Sequence, residues 1–149
     1  MTFFAGQLAG LTKRTVKVSE AGERVKHNHV YLAPGHAHLV CHRDGNDVII
    51  GHQSRYSASR YCPSVDAMLA AVARAYGRDG LALVFSGMGN DGLVGARTFN
   101  AFAAPVFVQD MQSSVVWGMP GAIANEGLAA AIMTPAHMTG MLSRLATLT

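Results

Sequence analysis

Apolar positions along the chain recur at two spacings, every three to four residues in some segments and every one or two in others, and the alternation lays out helices and strands. Phe4, Leu8 and Leu11 stand at helical spacing in a segment opened by Thr2 as a candidate N-cap, and a strand follows at Thr15 to Val18. Val30-Tyr31-Leu32-Ala33 reads as a buried strand closed by Pro34-Gly35. Leu39 to His42 and Val48 to Ile50 flank the turn signal Asp44-Gly45-Asn46, which predicts an antiparallel hairpin region. The stretch Ser54 to Cys62 is polar and without period. After Pro63, Ser64 is placed to cap a helix whose core face is Val65, Met68, Leu69, Val72 and Tyr76 and which Gly77 stops. Leu81 to Phe85 is continuously apolar, the pattern of a strand covered on both faces. A Gly-rich loop, a helix through about Phe102 and a second buried strand, Val106 to Val108, follow it. Strand, helix and strand at this spacing predict a right-handed βαβ unit in a parallel sheet. In the last third, Gly118-Met119-Pro120 opens a short helix, Ala129 to Met133 forms a strand, and Met138, Met141, Leu142 and Leu145 lie on a closing helix. The expected class is α/β, doubly wound and mostly parallel with an antiparallel hairpin region, in a single domain over 1–149.

Composition narrows the function classes. Half of the 149 residues are apolar and 14% are charged, which suits a packed core and excludes global disorder. No apolar run approaches the roughly 18 residues of a membrane span, and Met1 to Ala9 has neither the basic start nor the cleavage pattern of a secretory signal, so a cytoplasmic protein without membrane insertion is expected. Cys41 and Cys62 are expected as free thiols. The net charge of +3 comes from dispersed basic residues, and the 11 aromatics fall within apolar stretches, so nucleic-acid binding is not expected. The seven histidines include His27, His29, His36, His38 and His42, but they lack acidic or thiolate partners at ligand spacing apart from Cys41, and no metal site is expected.

In an open parallel sheet, chemistry gathers in the loops at the carboxyl ends of the strands. Gly87-Met88-Gly89-Asn90-Asp91-Gly92 matches G-x-G-x-x-G between a strand and a helix, with Asp110 about 20 residues on, which raises a dinucleotide site. Against that reading, the Asp91 carboxylate would share the turn where a pyrophosphate must sit. A carboxylate on such a turn also suits the orientation of a histidine imidazole, and the plainest alternative is a helix cap. Ser64 and Ser86 read as a cap and a strand-end hydroxyl, since neither sits in a nucleophile turn. Asp66 reads as a first-turn acid complementing the helix dipole.

Glu23-Arg24-Val25, Tyr31-Leu32-Ala33-Pro34-Gly35 with His38, Pro63-Ser64-Val65-Asp66, Gly87 to Gly92, Gln109-Asp110 and Val116-Trp117-Gly118-Met119-Pro120 with Ala122 stand in an order and spacing that resemble the CheB-type protein-glutamate methylesterase domain of bacterial chemotaxis. The resemblance runs from about Phe4 to the C-terminus. It implies hydrolysis of glutamyl methyl esters, and in some members deamidation of glutamines, on the cytoplasmic helices of chemoreceptors, with no cofactor or metal. It further implies that Asp91 is the acid of a Ser-His-Asp triad and that the backbone at Met88, with Gly87 and Gly89, receives the oxyanion. Trp117, Met119 and Gln109 are expected to line a substrate groove. The family's serine lies in a Ser-x-Gly-Gly turn and its histidine in a Gln-His-Met segment, and neither motif occurs here. The resemblance therefore implies a catalytic domain lacking its opening βαβ unit, with apolar faces of the strands Leu81 to Phe85 and Val106 to Val108 left uncovered. No receiver domain is read in the chain, so phosphorylation control is expected to be supplied by a separate receiver protein or to be absent. Cys62 stands where arginine is usual and Asn28 where glycine is usual. A non-catalytic remnant that keeps partner binding through the loops Tyr56 to Pro63 and Gln109 to Pro120 is the alternative from a different class.

Overall fold

The structure, a computed structural model, describes residues 1–146. Its elements run α1 (Thr2–Ala9), β1 (Thr15–Val18), β2 (His29–Leu32), β3 (His38–Asp44), β4 (Asp47–Gln53), α2 (Val65–Tyr76), β5 (Ala82–Val84), α3 (Leu93–Ala101), β6 (Val106–Gln109), α4 (Met119–Asn125), β7 (Ala131–Met133) and α5 (Pro135–Ala146). Among the described residues no helix is long and apolar enough to cross a membrane.

The strands form three groups. β5, β6 and β7 lie side by side in that order, all parallel, with Val84 opposite Val108 and Val108 opposite Ile132. β3 and β4 make the expected antiparallel hairpin across Asp44–Asp47. β1 and β2 pair in parallel, outside the antiparallel hairpin. Residues 22–25 run along β4, with the Ile50 N–H donating to the Glu23 carbonyl and the Val25 N–H to the Val48 carbonyl, and so couple the β1–β2 pair to the hairpin. Asn28 holds φ 59°, a left-handed conformation that asparagine tolerates where most side chains do not.

The core follows from the handedness of the crossovers. The β5–α3–β6 and β6–α4–β7 connections carry α3 and α4 to one face of the sheet, where Ala96, Phe99 and Ile123 pack on Ala82, Val84, Val106 and Val108. α2 adds Leu69 and Ala73 to this cluster while its other side lies against β3. Buried between two neighbours, α2 hides Ala67, Ala70, Ala71, Ala73 and Ala75, whereas Val65, Met68 and Val72 are only half-buried. The large residues marked its core face in sequence, yet the small ones permit the close approach.

Three sequence expectations fail on packing. Leu81 to Phe85 is not covered on both faces: both crossover helices occupy the same side, so Leu83 on the other side is half-buried and Phe85 is 46% exposed. In α1 the cap position belongs to Met1, Thr2 is already helical, and only Ala5 is buried, with Phe4 and Leu11 exposed. The closing helix likewise buries Met138 but leaves Leu142 and Leu145 exposed.

Candidate functional site

The loop 85–92 leaves the carboxyl end of β5 and is stitched to the loop after β6. The Gly87 N–H donates to the Val116 carbonyl at 3.0 Å, and the Gly87 carbonyl accepts from the Met119 N–H at 2.9 Å. Ser86 fixes the same junction, its hydroxyl donating to the Val116 carbonyl and accepting from the Val116 N–H. Glycine is required where these backbones cross: a Cβ on Gly118 would come within 2.7 Å of the Gly87 carbonyl oxygen and 2.9 Å of the Gly89 nitrogen. Gly89 and Gly92 hold φ of 80° and 99°, which lets the loop turn sharply and aim Asp91 inward.

Asp91 is buried, and its carboxylate reaches the N-terminus of α2. Oδ1 accepts from the Ser64 hydroxyl at 2.9 Å and from the Asp66 N–H at 3.1 Å, while Oδ2 accepts from the Val65 N–H at 2.8 Å. The negative charge thus sits at the positive end of a 12-residue helix on backbone donors that have no partner within the helix. A carboxylate offers about four lone-pair sites. Three are filled, and the open one is on Oδ2.

This placement corrects the reading of Asp91 as a local cap: its carboxylate does not cap the helix that follows it. It caps α2, a helix distant in sequence, because the tight turn at Gly89 and Gly92 swings it away from the N-terminus of α3. The objection that it would occupy a phosphate site at α3 therefore loses its premise, although the dinucleotide reading gains no support.

Ser64 caps α2 as expected, its hydroxyl also accepting from the Ala67 N–H, and His38 stands behind it with Nδ1 accepting from the Ser64 N–H at 3.1 Å. Serine, histidine and aspartate thus meet in one buried cluster, yet they are not wired as a hydrolytic triad. The serine hydroxyl donates to the carboxylate, and the imidazole meets the serine backbone, so nothing takes the hydroxyl proton for attack. Asp66 is buried one turn away, with Oδ1 accepting from the Gly95 N–H at 2.8 Å. Burial pushes its carboxyl above the ordinary value, with the Gly95 hydrogen bond opposing and the nearby Asp91 charge reinforcing the shift.

Of the backbone donors at the loop, Gly87 is spent on Val116 and is removed from the oxyanion candidates. Among the described residues no acceptor meets the N–H of Met88 or Gly89, and the Met88 side chain is 82% exposed. The three groove candidates each take part in contacts that hold the loops together. Gln109 is buried, accepting from the Ser86 N–H and donating to the carbonyl and hydroxyl of Ser113. Trp117 donates from Nε1 to the Gln109 carbonyl at 2.9 Å and packs on Gly121. Met119 packs its sulfur over Gly87. Together they hold the two strand-end loops in register.

Sequence reasoning missed Tyr61, whose hydroxyl lies where a Cβ on Gly89 would come within 2.6 Å. It also read Asp66 as a first-turn acid complementing the helix dipole, without its bond to the Gly95 N–H. Local pattern carries no sign of either, because both contacts join segments some 28 residues apart. Among the described residues no three His, Cys, Asp or Glu side chains are grouped to hold a metal.

The chain is thus an α/β domain in which the loop leaving a parallel strand holds a buried carboxylate at the N-terminus of a neighbouring helix. The CheB methylesterase family model matches residues 1–142, and the chain belongs to that family. It is 34% identical to a protein-glutamate methylesterase/protein-glutamine glutaminase of Paramagnetospirillum magneticum and 38% identical to one of Burkholderia lata, each alignment covering 97% of this chain. The chain spans only 38% and 40% of the length of these relatives. The crystal structure of the Thermotoga maritima CheB methylesterase catalytic domain superposes with a TM-score of 0.92 at 30% identity, over 97% of this chain and 76% of that one.

Proposed function

We propose that this chain carries the acid and oxyanion part of a protein-glutamate methylesterase site, acting in the cytoplasm on methylated chemoreceptor helices. The observation that carries the reading is the Asp91 carboxylate, fixed by three donors at the N-terminus of α2 and left with one open lone pair on Oδ2. That lone pair suits the N–H of an imidazole, which the carboxylate would hold in one tautomer and stabilise once protonated. In this scheme the histidine takes the proton from a serine as it attacks the ester carbonyl, and the Met88 N–H receives the oxyanion. Water then releases the glutamate side chain after methanol has left; ammonia leaves instead when the substrate is glutamine. The serine and histidine belong to the family's Ser-x-Gly-Gly and Gln-His-Met motifs, which this chain does not contain.

Methanol release from methylated receptor membranes tests the proposal. The purified chain is expected to release none above the no-protein blank, because an acid and an oxyanion donor supply neither nucleophile nor base. Fusion of an opening segment carrying both motifs to this chain is expected to restore release. Asp91→Asn in that fusion should lower kcat by about 10⁴-fold, the loss expected when the orienting acid fails to hold the tautomer. A folded fusion that releases methanol equally well with asparagine at this position would remove Asp91 from the mechanism.

A further inference from the structure

The segment between β4 and α2 closes a cleft of about 350 Å³ lined by His38, Ser54, Arg55, Tyr56, Ser57, Ser59, Arg60, Tyr61 and Cys62. The cleft adjoins the site through two of its walls. His38 accepts from the Ser64 N–H behind Asp91, and the Tyr61 hydroxyl lies over Gly89, in the loop that carries Asp91. Two arginines, three serines and two tyrosines are among the residues that line it, and no aspartate or glutamate is. The ion pairs among the described residues join Lys17 to Glu20 and Glu23, Arg24 to Asp47 and Arg97 to Glu126, and none involves Arg55 or Arg60. The larger basic cleft, about 600 Å³ and lined by Arg24, Lys26 and Arg43, differs in this respect. There Arg24 is paired with Asp47, and the Arg43 Nε is committed to the Ala75 carbonyl.

We infer that the Arg55–Arg60 cleft binds the carboxylate side chains of an acidic peptide and so presents a neighbouring glutamyl ester to the Asp91 loop. The choice of peptide rests on the methylesterase reading. A glutamyl ester is neutral, but its product is a carboxylate, so a segment with several such positions becomes more anionic as reaction proceeds. Two unpaired guanidinium groups beside serine and tyrosine hydroxyls offer such a segment charge-assisted hydrogen bonds. The turn that presents them is ordered by the Ser59 N–H donating to the Tyr56 carbonyl and the Tyr61 N–H donating to the Ser59 hydroxyl. Tyr56 in turn rests against the His38 ring, with centroids 6.1 Å apart.

Fluorescence anisotropy of a labelled helical peptide with glutamates at i and i+4 tests this with the full chain, and a glutamine-substituted peptide of the same length is the comparison. The glutamate peptide is expected to bind and the glutamine peptide to bind at least tenfold more weakly. Arg55→Gln and Arg60→Gln should each weaken the glutamate peptide by about tenfold, the loss of one charge-assisted contact. Lys26→Gln removes the same charge from the other basic cleft and should leave binding within twofold. Equal affinity for the two peptides, or equal loss with Lys26→Gln, overturns the inference. Because the readout is binding, it is separate from turnover. Arginine-dependent binding with no methanol release from the restored fusion would sink the methylesterase reading alone; methanol release with no arginine effect would sink this inference alone.

Discussion

Two carboxylates and one hydroxyl crowd the first turn of α2, and their division of labour depends on what each touches. Asp91 has three donors, whereas Asp66 is buried with the Gly95 N–H as its principal donor and with Asp91 as a like-charged neighbour. Because burial raises the Asp66 carboxyl in the folded state, the native chain binds that proton more tightly than the unfolded chain does. Below the unfolded value of about 3.9 both states are protonated and the group is neutral to stability. As pH rises through the window above it, the unfolded state ionises first and stability falls until the folded carboxyl has also ionised. Asp66→Asn keeps an oxygen for the Gly95 N–H and removes the charge, so this falling component should vanish. Urea unfolding of both proteins between pH 4 and 7 measures it as the difference between their curves. Subtraction is needed because Glu23, where burial is outweighed by the Glu20 N–H and then Lys17, and Glu126, held down by Arg97, sit below their ordinary values and contribute a slope of the opposite sign. Parallel curves would show that Asp66 carries no burial penalty.

The crossing of α2 and α3 depends on one missing Cβ. An added methyl on Gly95 would lie 2.6 Å from the Leu69 Cβ and about 3.1 Å from the Asp66 carbonyl oxygen, neither of which is a flexible chain end. Gly95→Ala is therefore expected to cost about 1–3 kcal/mol, as overpacking does. Gly6 in α1 is the converse, with nothing within 4 Å of an added Cβ, and Gly6→Ala should stabilise by about 0.5–1 kcal/mol through helix propensity. Chemical denaturation of the two variants checks both signs. Such contrasts mark where the sequence was legible. Strands with a clear period and helices with a cap and a glycine stop, such as Ser64 to Gly77, could be read locally, because local physics sets them. The Gly-rich loop could be read as a site because glycines, an acid and a strand end coincide there. What Asp91 touches could not be read, since α2 lies some 25 residues away in the chain. Nor could the supporting roles of Gln109, Trp117 and Met119, whose size and polarity suit a groove and a buried strut equally.

At the scale of the whole molecule, the sheet is finished on one side only. α3 and α4 cover one face of β5 and β6, while on the other Leu83 is half-buried and Phe85 is 46% exposed. β5 is an edge strand of the β5–β6–β7 sheet, with one row of its backbone groups without a neighbouring strand. Further apolar side chains stand in solvent elsewhere, with Phe3 80% and Leu11 84% exposed around α1 and Ile132 53% exposed on β7. An apolar sheet face beside an open edge favours association between copies, since burial returns about 25 cal/mol for each Å² removed from water. The 149-residue chain is therefore expected to form concentration-dependent oligomers and to bind a dye that reports exposed apolar surface. Phe85→Lys, on an already exposed position of that face, should shift the equilibrium toward monomer by placing a charge where the copies meet. Multi-angle light scattering over a hundredfold concentration range distinguishes the outcomes. A sharp monomer throughout, without dye binding, would mean that the face is closed by rearrangement within one chain. Oligomers unchanged by Phe85→Lys would place the contact on the apolar side chains of α1.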